Sequence, residues 1–308
     1  MKIYTDLNEI KVIPRTSIAM GNFDGLHLGH VELLRRTVKS AGKAGYAPAV
    51  FTFSNHPQNI LSGRTVIRGL LSDDEKIKII ESLGIEYLFS LPFDDSFHIM
   101  SPQSFIDDLL IVRFNATIVS CGFNFRFGAG AAGHSLTLKK ASEERGFKLE
   151  VMEAFEVDSS IISSSLIRSL IAEGKVDEAA RYLGRDYELS GKIVKGKGNG
   201  RSFGFPTANI DVDDEMCRPA LGVYITECDL DGAVHKSITN VGRRPTIGDD
   251  RLFIETNIIG LPDEDLYGRD LNVRFLEMLR PERKFDSTEE LTARINEDLK
   301  LAKTRHEL

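Results

Sequence analysis

Gly21-Asn22-Phe23-Asp24-Gly25-Leu26-His27-Leu28-Gly29-His30 is the stretch on which the reading of this chain turns. Just before it, Thr16 to Met20 reads as a short buried strand; just after it, Leu33, Leu34, Val38 and Ala41 recur at helical spacing. The stretch is therefore a strand–loop–helix junction. A helix N-terminus at that place offers backbone N–H groups without intrahelical acceptors and a partial positive charge, which suits an anion. His27 and His30 lie three residues apart and share one face of the first turn. Gly25 and Gly29 leave space where a phosphate chain would approach the backbone. An isolated HxxH also fits two exposed histidines in a glycine-rich turn. It fits a metal site as well, although no third His, Cys or carboxylate follows at a recognisable spacing.

Taken whole, the ten residues resemble the His-x-Gly-His signature of nucleotidylyltransferases, in the GxFDGxHxGH form found in FAD synthetases. That resemblance implies an ATP site built on Gly21, Phe23, Asp24, Gly25 and Gly29, with His27 and His30 as the catalytic pair on the phosphates.

Outward from the junction, Ala47 to Phe53 is a continuous apolar strand of the kind covered on both faces. Ser72-Asp73-Asp74-Glu75 is a capping box that opens a helix through Ser82, closed by Gly84. Glu86 to Ser90 is a strand, Ser101 to Arg113 a helix, and Ala116 to Cys121 a strand. Leu136 to Arg145 and Phe147 to Met152 add one more of each. Such alternation predicts a parallel, doubly wound sheet, with ligands bound beyond the carboxyl ends of its strands.

Three more segments of this half share the resemblance. Thr52-Phe53-Ser54-Asn55-His56-Pro57 is similar to the family's TFxPHP, with Asn55 where proline is usual. Gly122-Phe123-Asn124-Phe125-Arg126-Phe127-Gly128 resembles its GxDFxFG loop, with Asn124 where aspartate is the commoner choice. By the resemblance, His56, Asn124 and Phe125 contact flavin. Ser163-Ser164-Ser165-Leu166-Ile167-Arg168 resembles ISSTxIR at a helix start, which puts Ser164 and Arg168 on the nucleotide. A plain serine N-cap would explain the serines alone; Arg168 can reach polyphosphate oxygens. Gly128-Ala129-Gly130-Ala131-Ala132-Gly133 is formally GxGxxG, but it does not follow the first strand of a βαβ unit and reads as a flexible loop near the nucleotide.

Val176 to Leu183 is a short helix with Gly184 as C-cap, and from about residue 187 short strands separated by Gly, Asp and Pro replace the helices. The expected division is 1–185 and 186–308. Gly191 to Gly198 nearly spells GxxxxGK, but Gly198 stands where a hydroxyl is needed and no helix follows. Gly200-Arg201-Ser202-Phe203-Gly204-Phe205-Pro206-Thr207-Ala208-Asn209 instead resembles the GRxLGFPTAN motif of riboflavin kinases. Asn240-Val241-Gly242-Arg243-Arg244-Pro245-Thr246 is similar to NVGxRPT, Ile254-Glu255-Thr256-Asn257 to IExx, and Leu266-Tyr267-Gly268 to an LYG turn. Asp231-Gly232 marks a hairpin. Leu271 to Phe275 is a further strand, and Ser287 to Glu290 caps a closing helix packed through Leu291, Ile295 and Leu299. Many short strands and one terminal helix predict a small antiparallel barrel.

Composition narrows the field. The chain has 308 residues, 42% hydrophobic and 28% charged, with a net charge of −7. That is the size of two domains and gives no electrostatic support for a nucleic-acid partner. Cys121, Cys217 and Cys228 form no CxxC and no disulfide framework. The N-terminus lacks a signal-peptide core, no apolar run approaches a transmembrane span, and a cytoplasmic location is expected.

Both halves together resemble the prokaryotic bifunctional riboflavin kinase/FAD synthetase family. The resemblance implies a Rossmann-like α/β nucleotidylyltransferase domain followed by a kinase β-barrel, with riboflavin, FMN and ATP as substrates and Mg²⁺ as cofactor. It assigns Thr207 and Asn209 to the metal, Gly200 and Arg201 to the nucleotide, Arg280 to the flavin and Glu255 to the base. No nucleic acid or membrane partner is expected, and the protein is expected as a monomer or weak homo-oligomer. Three alternatives remain: another acceptor, as in the pantetheine-phosphate and nicotinate-mononucleotide branches; FAD synthesis alone; and a non-catalytic flavin-binding regulator. The barrel and the intact His27, His30, Thr207, Asn209 and Glu255 argue against the first and last.

Overall fold

A computed structural model describes residues 1–196, 205–243, 252–262 and 264–307. The chain forms two compact units, Met1–Ser164 and Ser165–Leu308.

In the first unit six parallel strands pair in the order β1-β4-β3-β2-β5-β6. They are β1 (Lys2–Tyr4), β2 (Thr16–Met20), β3 (Ala47–Phe53), β4 (Tyr87–Leu91), β5 (Ala116–Gly122) and β6 (Lys148–Met152). All five residues of β2 are buried, as a central strand covered on both faces requires. From β2 the chain steps through α1 (Leu28–Ala44) to β3 on one side, while β5 pairs with its other side. The strand order therefore reverses between β2 and β5, and the crevice at that switch point is the natural ligand site of an open parallel sheet. The junction at residues 21–30 sits at the carboxyl end of β2. The segments at 54–57 and 123–128 leave the carboxyl ends of β3 and β5.

The helices α2 (Pro57–Ser62), α3 (Asp73–Ser82) and α4 (Asp95–Ile99) follow in turn, α3 behind the expected capping box of Ser72 and Glu75. The helix expected over 101–113 begins as α5 (Pro102–Ser104) and then winds as a π-helix over Phe105–Arg113, closed by Phe114 N–H on the Leu109 carbonyl at 2.9 Å. The wider turn buries Phe105, Ile106, Leu109 and Leu110 in the core of this unit. After α6 (Ser135–Arg145) comes the short hairpin β7 (Glu156–Val157) and β8 (Ser160–Ile161).

The second unit is a closed barrel in the order β10-β13-β12-β11-β14-β9, antiparallel throughout. Its strands are β9 (Tyr187–Val194), β10 (Ala208–Asp211), β11 (Gly222–Leu230), β12 (Ala233–Arg243), β13 (Leu252–Ile258) and β14 (Asp270–Pro281). Asp231 and Gly232, at φ 52° and 83°, make the expected hairpin turn. Alternate residues face inward, and four of them are hydroxyls without solvent exposure. Thr226 bonds Ser237 and Thr239 at 2.8 Å each, and Thr239 bonds Thr256 at 2.9 Å. The outer face carries α9 (Thr288–Glu307), whose Ala302 packs with Val223, Ile225 and Ile238. Helices α7 (Ser164–Ala172) and α8 (Val176–Leu183) precede the barrel, and α8 packs on β14 and β9.

Candidate active sites

The first site starts from backbone conformation. Phe23, Gly25 and Leu26 all take positive φ (48°, 75° and 39°), so the chain turns sharply between β2 and α1. Gly25 has that freedom at no steric cost. At Gly29 a Cβ would lie 3.3 Å from the His27 ring and 3.2 Å from Phe155. His27 is the N-cap of α1, its Nδ1 accepting from His30 N–H at 3.3 Å. The two imidazoles stack with centroids 3.7 Å apart, and Phe23 meets His30 edge-on at 5.3 Å. The expected shared face is thus a stacked pair at the helix N-terminus.

His30 Nδ1 is buried and has no hydrogen-bond partner among the described residues. Burial, then the neighbouring His27 and then Lys76 hold its pKa well below the ordinary histidine range, so the ring is neutral near pH 7. A neutral imidazole beside a helix N-terminus can donate one N–H to an anion while the helix supplies the positive field.

Other expected nucleotide residues brace this loop. The Asp24 carboxylate accepts Leu70 N–H at 2.9 Å, and the Asp24 carbonyl accepts the Ser164 hydroxyl at 2.9 Å. Phe23 is fully buried in the core and backs His30. Gly21 lies against the Phe23 ring and donates its N–H to the Phe51 carbonyl. Arg168 lies on α7, in the second compact unit. His56 caps α2 through Nδ1, and Asn55 clamps Phe93 with bonds of 2.7 and 3.3 Å. Asn124 is exposed at the end of β5, and Phe125 stacks on Phe127 at 5.8 Å. The glycine-rich 128–133 segment is a loop tied at both ends: Phe127 and Gly133 exchange hydrogen bonds, and Ala129 N–H meets the Met100 carbonyl.

The second site lies on the barrel wall. Pairing sets Asn209 directly opposite Glu255, and Asn240 opposite Glu255 on its other side. Glu255 Oε1 accepts the Thr207 hydroxyl at 2.6 Å and the Asn209 amide at 3.4 Å. With both protons pointed at the carboxylate, the Thr207 lone pairs and Asn209 Oδ1 are left as hard oxygen donors, the chemistry a magnesium ion prefers. Asn257 holds this segment by donating to the Pro206 carbonyl at 2.7 Å.

Thr207 borders two cavities. One, of about 80 Å³, is lined by Asn209, Gly196, Thr256, Pro262 and Tyr267. The other, of about 350 Å³, lies between the outer barrel face and α9, with Glu255, Asn240 and Asn257 at one side and Arg280 at the other. Its apolar wall is Val223, Ile238, Leu291, Ile295 and Leu299. Gly200 and Arg201 lie outside the described residues, as do Arg244 to Thr246. Sequence reasoning gave no role to Asn240, Asn257, Phe285 or Asp298, all of which line the larger cavity. The first two sit inside motifs already quoted, and Asp298 falls on the helix face marked by Leu291 and Ile295.

Each site provides groups that hold phosphate or a hard cation. The molecule is thus equipped as a two-site transferase acting between bound nucleotides and their acceptors. Residues 10–166 match the FAD synthetase family model, and residues 183–306 the riboflavin kinase model. The chain is 33% identical to a bifunctional riboflavin kinase/FMN adenylyltransferase of Listeria monocytogenes over 96% of this chain and 91% of that protein. A protein of the same description from Bacillus subtilis is 32% identical over 92% and 90%. A crystal structure from Streptococcus pneumoniae, described as a macrolide-efflux protein, superimposes with a TM-score of 0.88 at 29% identity over 98% of each chain. In this chain no helix of the described residues is long and apolar enough to cross a membrane. The chain belongs to the bifunctional riboflavin kinase/FMN adenylyltransferase family.

Proposed function

We infer that this chain makes FMN and then FAD. The barrel unit transfers the γ-phosphate of ATP to the 5′-hydroxyl of riboflavin, and the α/β unit transfers AMP from a second ATP to FMN with release of pyrophosphate. The observation that carries this reading is the match of both family models, one on each part of a chain with two separate site geometries. We assign the activities to residues 1–185 and 186–308. The family matches end at 166 and begin at 183, with α7 and α8 between them.

In the α/β unit the attacking group is already an anionic phosphate, so no base is needed. His27, His30 and the first turn of α1 hold the ATP phosphates and stabilise the charge that builds on the leaving pyrophosphate. Gly21, Gly25 and Gly29 shape that loop, Ser164 joins the phosphate contacts, and Arg168 is assigned to the nucleotide by its motif alone. His56, Asn124 and Phe125 stand at strand ends where FMN would bind. In the barrel the acceptor is an alcohol, and Glu255 takes its proton as attack develops. Thr207 and Asn209 would hold Mg²⁺, which neutralises charge on the transferring phosphoryl group. Gly200 and Arg201 are assigned to the nucleotide by motif alone. Arg280 contacts riboflavin in the larger cavity.

The substrates are all small molecules; cytoplasmic residence and a monomeric or weakly associating state complete the proposal, the latter checked by sedimentation. The deciding experiment incubates the protein with riboflavin, ATP and Mg²⁺ and separates the flavins. FMN and FAD should both accumulate. FAD formed only from supplied FMN would leave a one-activity enzyme, and no product at all would leave a flavin-binding regulator.

A further inference from the structure

Arg280 leaves β14 beside the 350 Å³ cavity, and what holds it there is a carboxylate from the terminal helix. Asp298 Oδ2 lies 2.8 Å from both Nε and Nη2 of Arg280. Asp298 Oδ1 lies 2.9 Å from Arg294 Nε, off the line that would make a hydrogen bond. The Asp298 side chain is 3% exposed and that of Arg280 13%. A carboxylate this deep is costly unless paired, yet it sits on the helix face whose neighbours Leu291, Ile295 and Leu299 are apolar cavity wall. A helix fastened only by packing would do better with a leucine there. The carboxylate therefore answers to something other than helix docking.

The geometry of the guanidinium says what. Asp298 occupies its Nε–Nη2 side, and one Nη1 proton goes to the Pro281 carbonyl at 3.3 Å. That leaves N–H groups on the Nη1–Nη2 end of the fork. Those N–H groups are charged donors, suited to an electron-rich carbonyl oxygen. We propose that Asp298 is a positioning residue that locks Arg280 so that the end of its fork donates to a carbonyl oxygen of the riboflavin ring. The apolar wall of the cavity then takes the ring's methyl-bearing end. This rests on the reading that the larger cavity is the riboflavin site.

The test measures riboflavin affinity of the full chain by quenching of flavin fluorescence, with ATP omitted. Arg280→Gln should weaken binding roughly tenfold or more, the scale of a lost charge-assisted contact. Asp298→Asn should do much the same and should raise the riboflavin KM while leaving the ATP KM alone. In the Arg280→Gln background, Asp298→Asn should add nothing, because its effect runs through that guanidinium. Full additivity of the two losses would overturn the proposal and leave Asp298 a helix anchor. If Asp298→Asn loses helix content by circular dichroism, Asp298→Glu decides. It keeps the charge but shifts the fork, so a several-fold loss of affinity supports the proposal and wild-type affinity overturns it. Wild-type protein that binds riboflavin with Arg280→Gln binding equally well sinks the proposal alone. Wild-type protein that binds no riboflavin sinks the site assignment beneath it.

Discussion

In the proposed function the β2–α1 junction and the Thr207–Asn209–Glu255 cluster both serve ATP, and they are made of different materials. The junction is mostly backbone: a tight turn with three positive φ values, a helix N-terminus, and two stacked imidazoles of which one caps the helix. The cluster is all side chain: strand register sets Asn209 opposite Glu255, and Thr207 joins them from just before β10. Chemistry accounts for the contrast. An anionic acceptor attacking phosphorus needs only a positive, preorganised seat, and backbone N–H groups provide one without any titrating group. An alcohol acceptor has a proton to lose, so the barrel includes a carboxylate.

The contrast is broken most directly at Glu255. Glutamine is nearly isosteric, so Glu255→Gln should keep the barrel folded. It should lower FMN formation from riboflavin by roughly 10²- to 10⁴-fold, toward the lower end if the transition state is loose. FAD formation from supplied FMN should stay near wild type. Kinase turnover within about threefold of wild type would show that Glu255 is a strand carboxylate and that the base lies elsewhere.

The mirror experiment removes an imidazole. His27→Ala and His30→Ala should each cut FAD formation from FMN by on the order of 100-fold or more, with riboflavin phosphorylation nearly unchanged. His27→Ala also removes the N-cap and should cost about 1 kcal/mol of stability in addition. Normal adenylyl transfer in both variants would mean that the helix N-terminus alone carries the phosphates.

A third variant separates stability from chemistry. Asn55→Ala breaks both bonds to Phe93 and leaves its backbone groups without those partners. About 1–3 kcal/mol of stability should go, read as a lower melting midpoint of the α/β unit with kinase activity intact. An unshifted melt would make Asn55 a neutral replacement for proline.

The smallest effect tests the neutral imidazole. The folded pKa of His30 is depressed, so below its ordinary value of about 6.5 the unfolded chain binds a proton that the folded chain refuses. Its contribution is therefore full above pH 6.5 and falls as pH drops below it, by no more than about 1.4 kcal/mol per pH unit. His30→Gln should flatten the denaturation profile between pH 6.5 and 5.5. An identical slope in the variant would place the titrating group elsewhere.

What the sequence disclosed follows from how local each signal is. The strands Thr16–Met20 and Ala47–Phe53, the helix Val176–Leu183 and the turn at Asp231-Gly232 are set by their own residues, and they stand where periodicity and turn chemistry put them. Lys2–Tyr4 carries too few residues for a pattern and becomes a strand only by pairing with Tyr87–Phe89. The π-winding over Phe105–Arg113 answers to the core it fills, and nothing in its spacing differs from an α-helix. The same division runs through the sites. His27, His30, Thr207 and Glu255 stand in contiguous motifs. The roles of Asp24 and Gly29 as braces, and of Asp298 beside Arg280, arise from contacts between distant segments.

The hydroxyl chain inside the barrel bears on how this sequence can drift. Ser237, Thr226, Thr239 and Thr256 satisfy one another in series, with Thr239 bonded to two of them. Replacing Thr239 alone by valine keeps the shape but orphans the buried Thr256 hydroxyl and leaves Thr226 with Ser237 only, whereas replacing the whole set would leave none. The positions are thus epistatic: a substitution at either inner position, Thr226 or Thr239, strands the hydroxyl beyond it unless that neighbour has changed first. A lineage can hold this interior polar or turn it apolar, but the single steps between the two are tolerated only when taken inward from an end of the series.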